Sequence, residues 1–263
     1  MCGISPKKGM CIYMTSNRAD LKRSAKGMIA AAKPSPISVG LVYLAITVVF
    51  SLLSAKLMGM NLTENDLEQI MRHIQNGNLE YAMTYLSEYQ PSTSSYIIDL
   101  ALQIVSLMVG TGFTIFALNT IRGTGACYGN LLDGFGIFFR VILLEILAGL
   151  FVFLWSLLLI VPGIIAAYRY RMAMYILIDH PEMSVMACLR ESKRLMIGHK
   201  WELFVLDLSF IGWEILSNLT IIGWAVSIYT TPYFALTYAL YYETLSGRAV
   251  LHGFTQPYSG DYR

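Results

Sequence analysis

The chain contains apolar runs long enough to cross a lipid bilayer, and this feature constrains its fold more than any other. Hydrocarbon offers a bare backbone no hydrogen-bond partner, so a segment that crosses it must be a helix or part of a closed barrel. A helix rises about 1.5 Å per residue and needs about 20 apolar residues for the crossing. Residues 37–58 meet this requirement, with Lys56 as their only charge. Residues 96–118 meet it with Asp99 near the start, and 141–161 with Glu145 inside. Two more runs, 203–222 and 223–244, follow one another almost without a gap. All are too long and too continuous for the alternating strands of a membrane barrel.

Composition agrees. Hydrophobic residues make up 56% of the 263 and charged residues 14%, against roughly 25% charged in a soluble domain. This excludes a disordered chain and a conventional water-soluble globule. A formal net charge of +2 is too small to argue for a nucleic-acid partner.

One stretch admits two solutions. Residues 141–178 are apolar except for Glu145, Arg169 and Arg171, too long for one span, and interrupted at Pro162-Gly163. Proline removes a backbone donor and restricts the residue before it. This predicts a turn there and a short fourth helix over 163–178; a single kinked helix is the alternative.

The expected fold is therefore all-α: a polytopic transmembrane helix bundle of six spans with both chain ends inside. The positive-inside rule supports that orientation. Of the 19 Lys and Arg, all but Lys56, Arg72, Arg169 and Arg171 then lie on the inner side. A five-span chain would place the basic segment 190–200 outside. Cys2, Cys11, Cys127 and Cys188 also fall on the inner side, where thiols stay reduced. The sequence has no CxxC pair, and no cleavable leader is expected ahead of the first apolar run. Met14 is a candidate start. The expected location is the plasma membrane, multi-pass.

The segments between the spans carry their own patterns. Asn17 can cap a helix on which Leu21, Ala25, Met28, Ile29 and Ala32 line one face and Arg18, Lys22 and Lys26 another, with Pro34 ending it. This basic amphipathic helix within the inner tail (1–36) suits anionic lipid at the inner leaflet, or a plain solvated face. The outer loop, 61–95, is acidic, with Glu64, Asp66, Glu68, Glu80 and Glu88 against Arg72. It predicts two short helices separated by Asn76-Gly77, the first capped by Thr63. Asn61-Leu62-Thr63 is formally a glycosylation sequon. An amphipathic inner helix is expected over 184–198, capped by Ser184 and followed by an interface anchor at His199, Lys200 and Trp201. Residues 246–263 form the inner C-terminal tail.

Several runs resemble a known family. GHKWELFVLDLSFIGWEIL from Gly198, WSLLLIVPGI over 155–164, YRYRMAMYILID over 168–179 and RADLKRSAK over 18–26 are similar to the bacterial membrane family called domain of unknown function 975. The resemblance runs from about Thr15 to Leu245. More distantly, the arrangement from Pro162-Gly163 through Arg190, Ser192 and Gly198 is similar to the membrane domain of some glycerophosphodiester phosphodiesterases, in which catalysis belongs to a separate soluble domain. The resemblance implies a six-helix fold in a bacterial membrane and supplies no catalytic residues.

The polar residues inside the spans are the candidate site. A charge in a membrane helix costs about 2.5–3.5 kcal/mol on insertion scales, so it generally faces protein and has a partner. From the helical rise, Glu214 lies about 16 Å above the inner edge, Arg171 about 18 Å and Arg169 about 21 Å. This suggests an ion pair between Glu214 and one of these arginines, serving either as a site or as a clamp. Glu145 and Asp207 both fall about 6 Å above that edge. If their helices touch, one of them should hold a proton. Asp207 and Glu214, seven residues apart, share a helix face. Asp99 is expected to be hydrated near the outer interface. Tyr168, Tyr170, Tyr233, Tyr238, Tyr241 and Tyr242 are expected to form an interfacial belt. Ser106, Gly110 and Thr114 make a small-residue seam, and Pro232 predicts a kink.

The sequence contains no HExxH, GxSxG or GxxxxGK[ST] motif, and His73, His180, His199 and His252 are scattered. No enzyme activity, cofactor or metal site is expected. The partners expected are the lipid bilayer and no nucleic acid. Two functions compete: transport or binding of a small solute, ion or lipid, and a non-catalytic interaction or assembly role. An intramembrane enzyme ranks third.

Overall fold

The structure, a computed structural model, describes residues 18–58, 64–88, 92–217 and 222–247. Met14, Asn17, Cys2, Cys11, the sequon at Asn61 with the Thr63 cap, and residues 248–263 of the C-terminal tail lie outside the described residues. Regular structure among the described residues is helical. The chain begins with α1 (Arg18–Ala31), α2 (Pro36–Leu57), α3 (Glu64–Gln75), α4 (Leu79–Glu88) and α5 (Thr93–Arg122). After a loop come α6 (Asn130–Asp133), one 3-10 turn and α7 (Phe138–Leu158). Then follow α8 (Ile160–Tyr170), α9 (Ala173–Asp179), α10 (Val185–Leu195), α11 (Lys200–Leu208), α12 (Ile211–Ser217) and α13 (Ile222–Leu245).

Three of these segments are long and apolar enough to cross a membrane: α2, α5 and the path Asn130–Leu158 that ends in α7. Large apolar side chains cover their outer faces, with Phe139 83% and Leu157 77% exposed, as a lipid-facing surface requires. α5 extends beyond the apolar run at both ends. The Ser92 side chain caps it by accepting from the Ser95 N–H at 3.3 Å, and Gly123 ends it in the left-handed region at φ 67°.

The chain reverses after α7, which excludes one kinked helix over 141–178. The reversal is at Leu159, in extended conformation (φ −163°, ψ 152°), and not at Pro162-Gly163 as the breaker residues suggest. Pro162 lies in the first turn of α8, where its missing N–H costs nothing. Gly163 serves the close crossing: a Cβ there would lie 2.1 Å from Ser156 Oγ. Beyond the turn, Tyr170 lies against Phe151 with ring centroids 5.8 Å apart. α8 and α9 thus run antiparallel to α7.

Both of the next two apolar segments are broken. The fourth is interrupted at Arg171-Met172 and the fifth at Ser209-Phe210. The carbonyl of Arg169, left without a helical partner near the first break, accepts from the buried Ser192 hydroxyl at 2.8 Å. Ser192 belongs to α10, whose Ser184 cap accepts from the Ala187 N–H and whose Val185, Cys188 and Leu189 are buried.

α13 is the central helix. Tyr233, Leu236, Ala239, Leu240, Tyr241 and Tyr242 are all buried in the main core. The helix continues through Pro232, and α2 abuts it where a Cβ on Gly40 would come 3.1 Å from Pro232 Cδ. The apolar stripe of α1, Leu21, Ala25 and Ile29, is buried in this same core, so it packs on protein, while Arg18, Arg23 and Lys26 are exposed. Directions alternate along the chain. α5, α9 and α13 are parallel and end together at Arg122, Asp179 and Glu243. α2 is antiparallel to α5, pairing Tyr43 with Phe113 and Ser54 with Asp99. The α11–α12 segment is antiparallel to α13, pairing His199 with Tyr241 and Phe210 with Phe234.

Candidate functional site

The polar groups between the helices gather in three places, and the sequence-predicted residues account for two of them. The first is Asp207 on α11. Tyr168 of α8 donates to its Oδ2 at 2.9 Å and Tyr238 of α13 to its Oδ1 at 2.7 Å. The Arg171 guanidinium lies 5.2 Å from the Tyr238 ring centroid. Arg171 and Asp207 are therefore brought together, with the Tyr238 phenol between them. Arg169 turns elsewhere, its guanidinium 5.6 Å from the Trp155 ring, and Glu214 is exposed on α12.

The second place surrounds Glu145 on α7. A crevice of about 480 Å³ is lined by Tyr43, Gln103, Ser106, Thr111, Thr114 and Glu145, with Leu107, Gly110 and Met174. A neighbouring crevice of about 320 Å³ shares Glu145 and Met174 and reaches Tyr170 and Arg171. Glu145 takes part in no hydrogen bond or ion pair among the described residues. Asp207 lines neither crevice, so the two carboxylates occupy different surroundings. The small-residue seam of Ser106, Gly110 and Thr114 forms one wall of the larger crevice.

Sequence reasoning missed the third place. Arg122, at the end of α5, donates to both carboxylate oxygens of Asp179, at 2.7 and 3.0 Å. Its Nε donates to Glu243 Oε1 at 2.7 Å. Tyr242 adds a hydrogen bond to Asp179 at 2.6 Å. The two acids are almost fully buried, their side chains 1% and 3% exposed. Glu243 lies inside the last apolar run, and that was the available signal.

Two expectations need correction. The tyrosines are not an interfacial belt. Tyr168 and Tyr238 serve Asp207, Tyr242 serves Asp179, and Tyr241 donates to the His199 carbonyl at 3.0 Å. Tyr233 packs edge-on against Phe210. Polar groups buried between helices need partners, and phenols from a central helix supply them. Asp99 is likewise not simply hydrated. It is buried and accepts from Ser54 and from Gln103 Nε2.

No group of His, Cys, Asp and Glu able to hold a metal occurs among the described residues. The family model described as "Protein of unknown function (DUF975)" matches residues 156–249. The match supports the family that the quoted runs resemble, over the stretch from the end of α7 through α13. It includes Arg169, Arg171, Asp207 and Glu214, and leaves out Glu145 and Arg122. No curated protein and no solved structure gives a significant match.

Proposed function

We propose that this chain is a six-pass plasma-membrane protein, with both ends inside, that binds or moves a small solute without catalysing a reaction. The alternating helix directions support the six passes: α2, α5, α7, the broken pair α8–α9, the broken pair α11–α12, and α13. The two interrupted segments support a binding role, because helices broken at membrane depth are tolerated where they face protein or a water-filled cavity. Exposed Arg18, Arg23 and Lys26 on α1 provide a surface for anionic inner-leaflet lipid.

The observation that carries this proposal is the crevice at Glu145. An unpaired carboxylate in a membrane helix costs too much to persist without a functional or structural return. Here it faces hydroxyl and amide side chains from α2 and α5. The test is a single cysteine, Ser106→Cys, in a background lacking the natural cysteines. In reconstituted vesicles it should react with a water-soluble maleimide far faster than Leu150→Cys on the apolar face of α7. Equal, negligible reactivity at both positions would show that the crevice holds no water and would refute the proposal.

A further inference from the structure

We infer that the Glu145 crevice takes a small ammonium group; this rests on the solute-binding role proposed above and names the chemistry of its ligand. The argument is a donor and acceptor inventory. Gln103 donates its amide Nε2 to Asp99 Oδ2 at 2.6 Å. A carboxylate can only accept, so this bond fixes the amide orientation and leaves Gln103 Oε1 as a free acceptor beside the second amide N–H. Thr111 donates its hydroxyl to the Leu107 carbonyl at 3.0 Å, and Thr114 to the Gly110 carbonyl at 3.1 Å. Both of these hydroxyl protons are thus committed to the α5 backbone, and their oxygens offer lone pairs; the Ser106 and Tyr43 hydroxyls, which rotate, can accept as well as donate. The Glu145 carboxylate adds acceptors and the charge.

Arg171 does not cancel that charge. It lines the adjoining crevice, but its guanidinium is engaged with Tyr238 and Asp207, so another carboxylate balances it. The site therefore combines several acceptor oxygens with one unpaired negative charge. A ligand that matches it brings one positive charge and several N–H donors. A bare divalent ion fits poorly, because calcium takes about 6–8 oxygen ligands and magnesium demands octahedral order. Leu107 and Met174 suit a short alkyl stem. The ligand is a primary alkylammonium, either as a free amine or as the ethanolamine headgroup of a lipid.

The Ser106→Cys protein in vesicles of phosphatidylglycerol tests this, with ethylammonium as the probe. Ethylammonium should slow maleimide labelling saturably, about tenfold at ten times its Kd. In Ser106→Cys/Glu145→Gln the ratio of protected to unprotected rates should fall to near one. Propanol and acetate should not protect. Labelling that proceeds without ethylammonium protection would overturn the ligand assignment and leave the water-filled crevice standing, as would protection that survives Glu145→Gln or is matched by propanol. Absence of all labelling would overturn the crevice, and the ligand with it. Repeating the measurement in phosphatidylethanolamine vesicles separates the sources. Labelling already slowed there, and restored by Glu145→Gln, assigns the lipid headgroup; unchanged labelling assigns a soluble amine.

Discussion

Replacing Arg122 by Met removes the guanidinium that Asp179 and Glu243 share. The Glu243 carboxylate receives hydrogen bonds from Arg122 alone among the described residues, and the side chain is 3% exposed. Its α13 position fixes it there, since Tyr241 and Tyr242, immediately before it in the same turn, are locked in the core. Water therefore cannot replace the lost donors without opening the junction of α5, α9 and α13. Breaking a buried ion pair from one side costs about 3–5 kcal/mol, because the remaining charge is left uncompensated. At about 2–4 °C per kcal/mol for a chain of this size, Arg122→Met should lower Tm by roughly 6–20 °C. Circular dichroism of purified protein in detergent measures this. The double variant Arg122→Met/Glu243→Gln removes one of the two stranded charges, leaving Asp179 with its Tyr242 hydrogen bond, and should recover about 2 kcal/mol relative to Arg122→Met, within the usual range for coupled neighbours. Loss of less than about 1 kcal/mol in Arg122→Met, or a double variant no more stable than the single one, would refute the argument.

Further perturbations follow from the same contacts. Tyr238→Phe removes a hydrogen bond to the Asp207 carboxylate and should cost about 1.5–3 kcal/mol, whereas Tyr170→Phe should change stability by less than about 0.5 kcal/mol; denaturation in detergent distinguishes them. Gly112→Ala and Gly134→Ala should each destabilise by about 1–3 kcal/mol or more. Their added Cβ atoms would meet the Leu131 carbonyl oxygen at 2.3 Å and the Met108 carbonyl oxygen at 2.2 Å. Gly136→Ala, with open space around it, should be much milder. Burial pushes the Cys188 thiol up, so Cys188 should resist maleimide in folded protein while exposed Cys127 labels; mass spectrometry of the two peptides reports the difference.

The first three long helices are legible in the sequence because length and unbroken apolarity determine them. α2 matches the run 37–58 within a residue at each end. The breaks in the fourth and fifth segments are not legible, because no proline or glycine marks them. Tertiary hydrogen bonds stabilise them instead: Ser192 onto the Arg169 carbonyl, and Lys22 Nζ onto Ser209 Oγ at 2.5 Å, with Lys22 also 4.4 Å from the Phe210 ring. Pro162 misleads in the opposite direction, since a breaker residue there begins a helix. The apolar stripe on α1 is plain from its spacing, but spacing cannot say whether it meets lipid or α13.

At the candidate site, an isolated charge in an apolar run is visible, and Glu145, Asp207 and Arg171 are found that way. Their partners are not, because helix depth constrains height and says nothing about which neighbour lies at that height. Equal depth suggested that Glu145 and Asp207 could meet, yet different helices surround each. The tyrosine hydroxyls that serve Asp207 were invisible for the same reason: a phenol near a span end looks alike whether it faces headgroups or a buried carboxylate.

The direction of the chain on either side of Leu159 tests the six-pass architecture most directly. A single cysteine at Leu159, in sealed vesicles of known sidedness, can be exposed to a membrane-impermeant thiol reagent from one face at a time. The account predicts labelling from the outer face, the same face that labels a cysteine at Asn78 and the opposite face from Cys127. Labelling of Leu159→Cys from the Cys127 face, or from neither, would mean that α8 and α9 do not return through the bilayer.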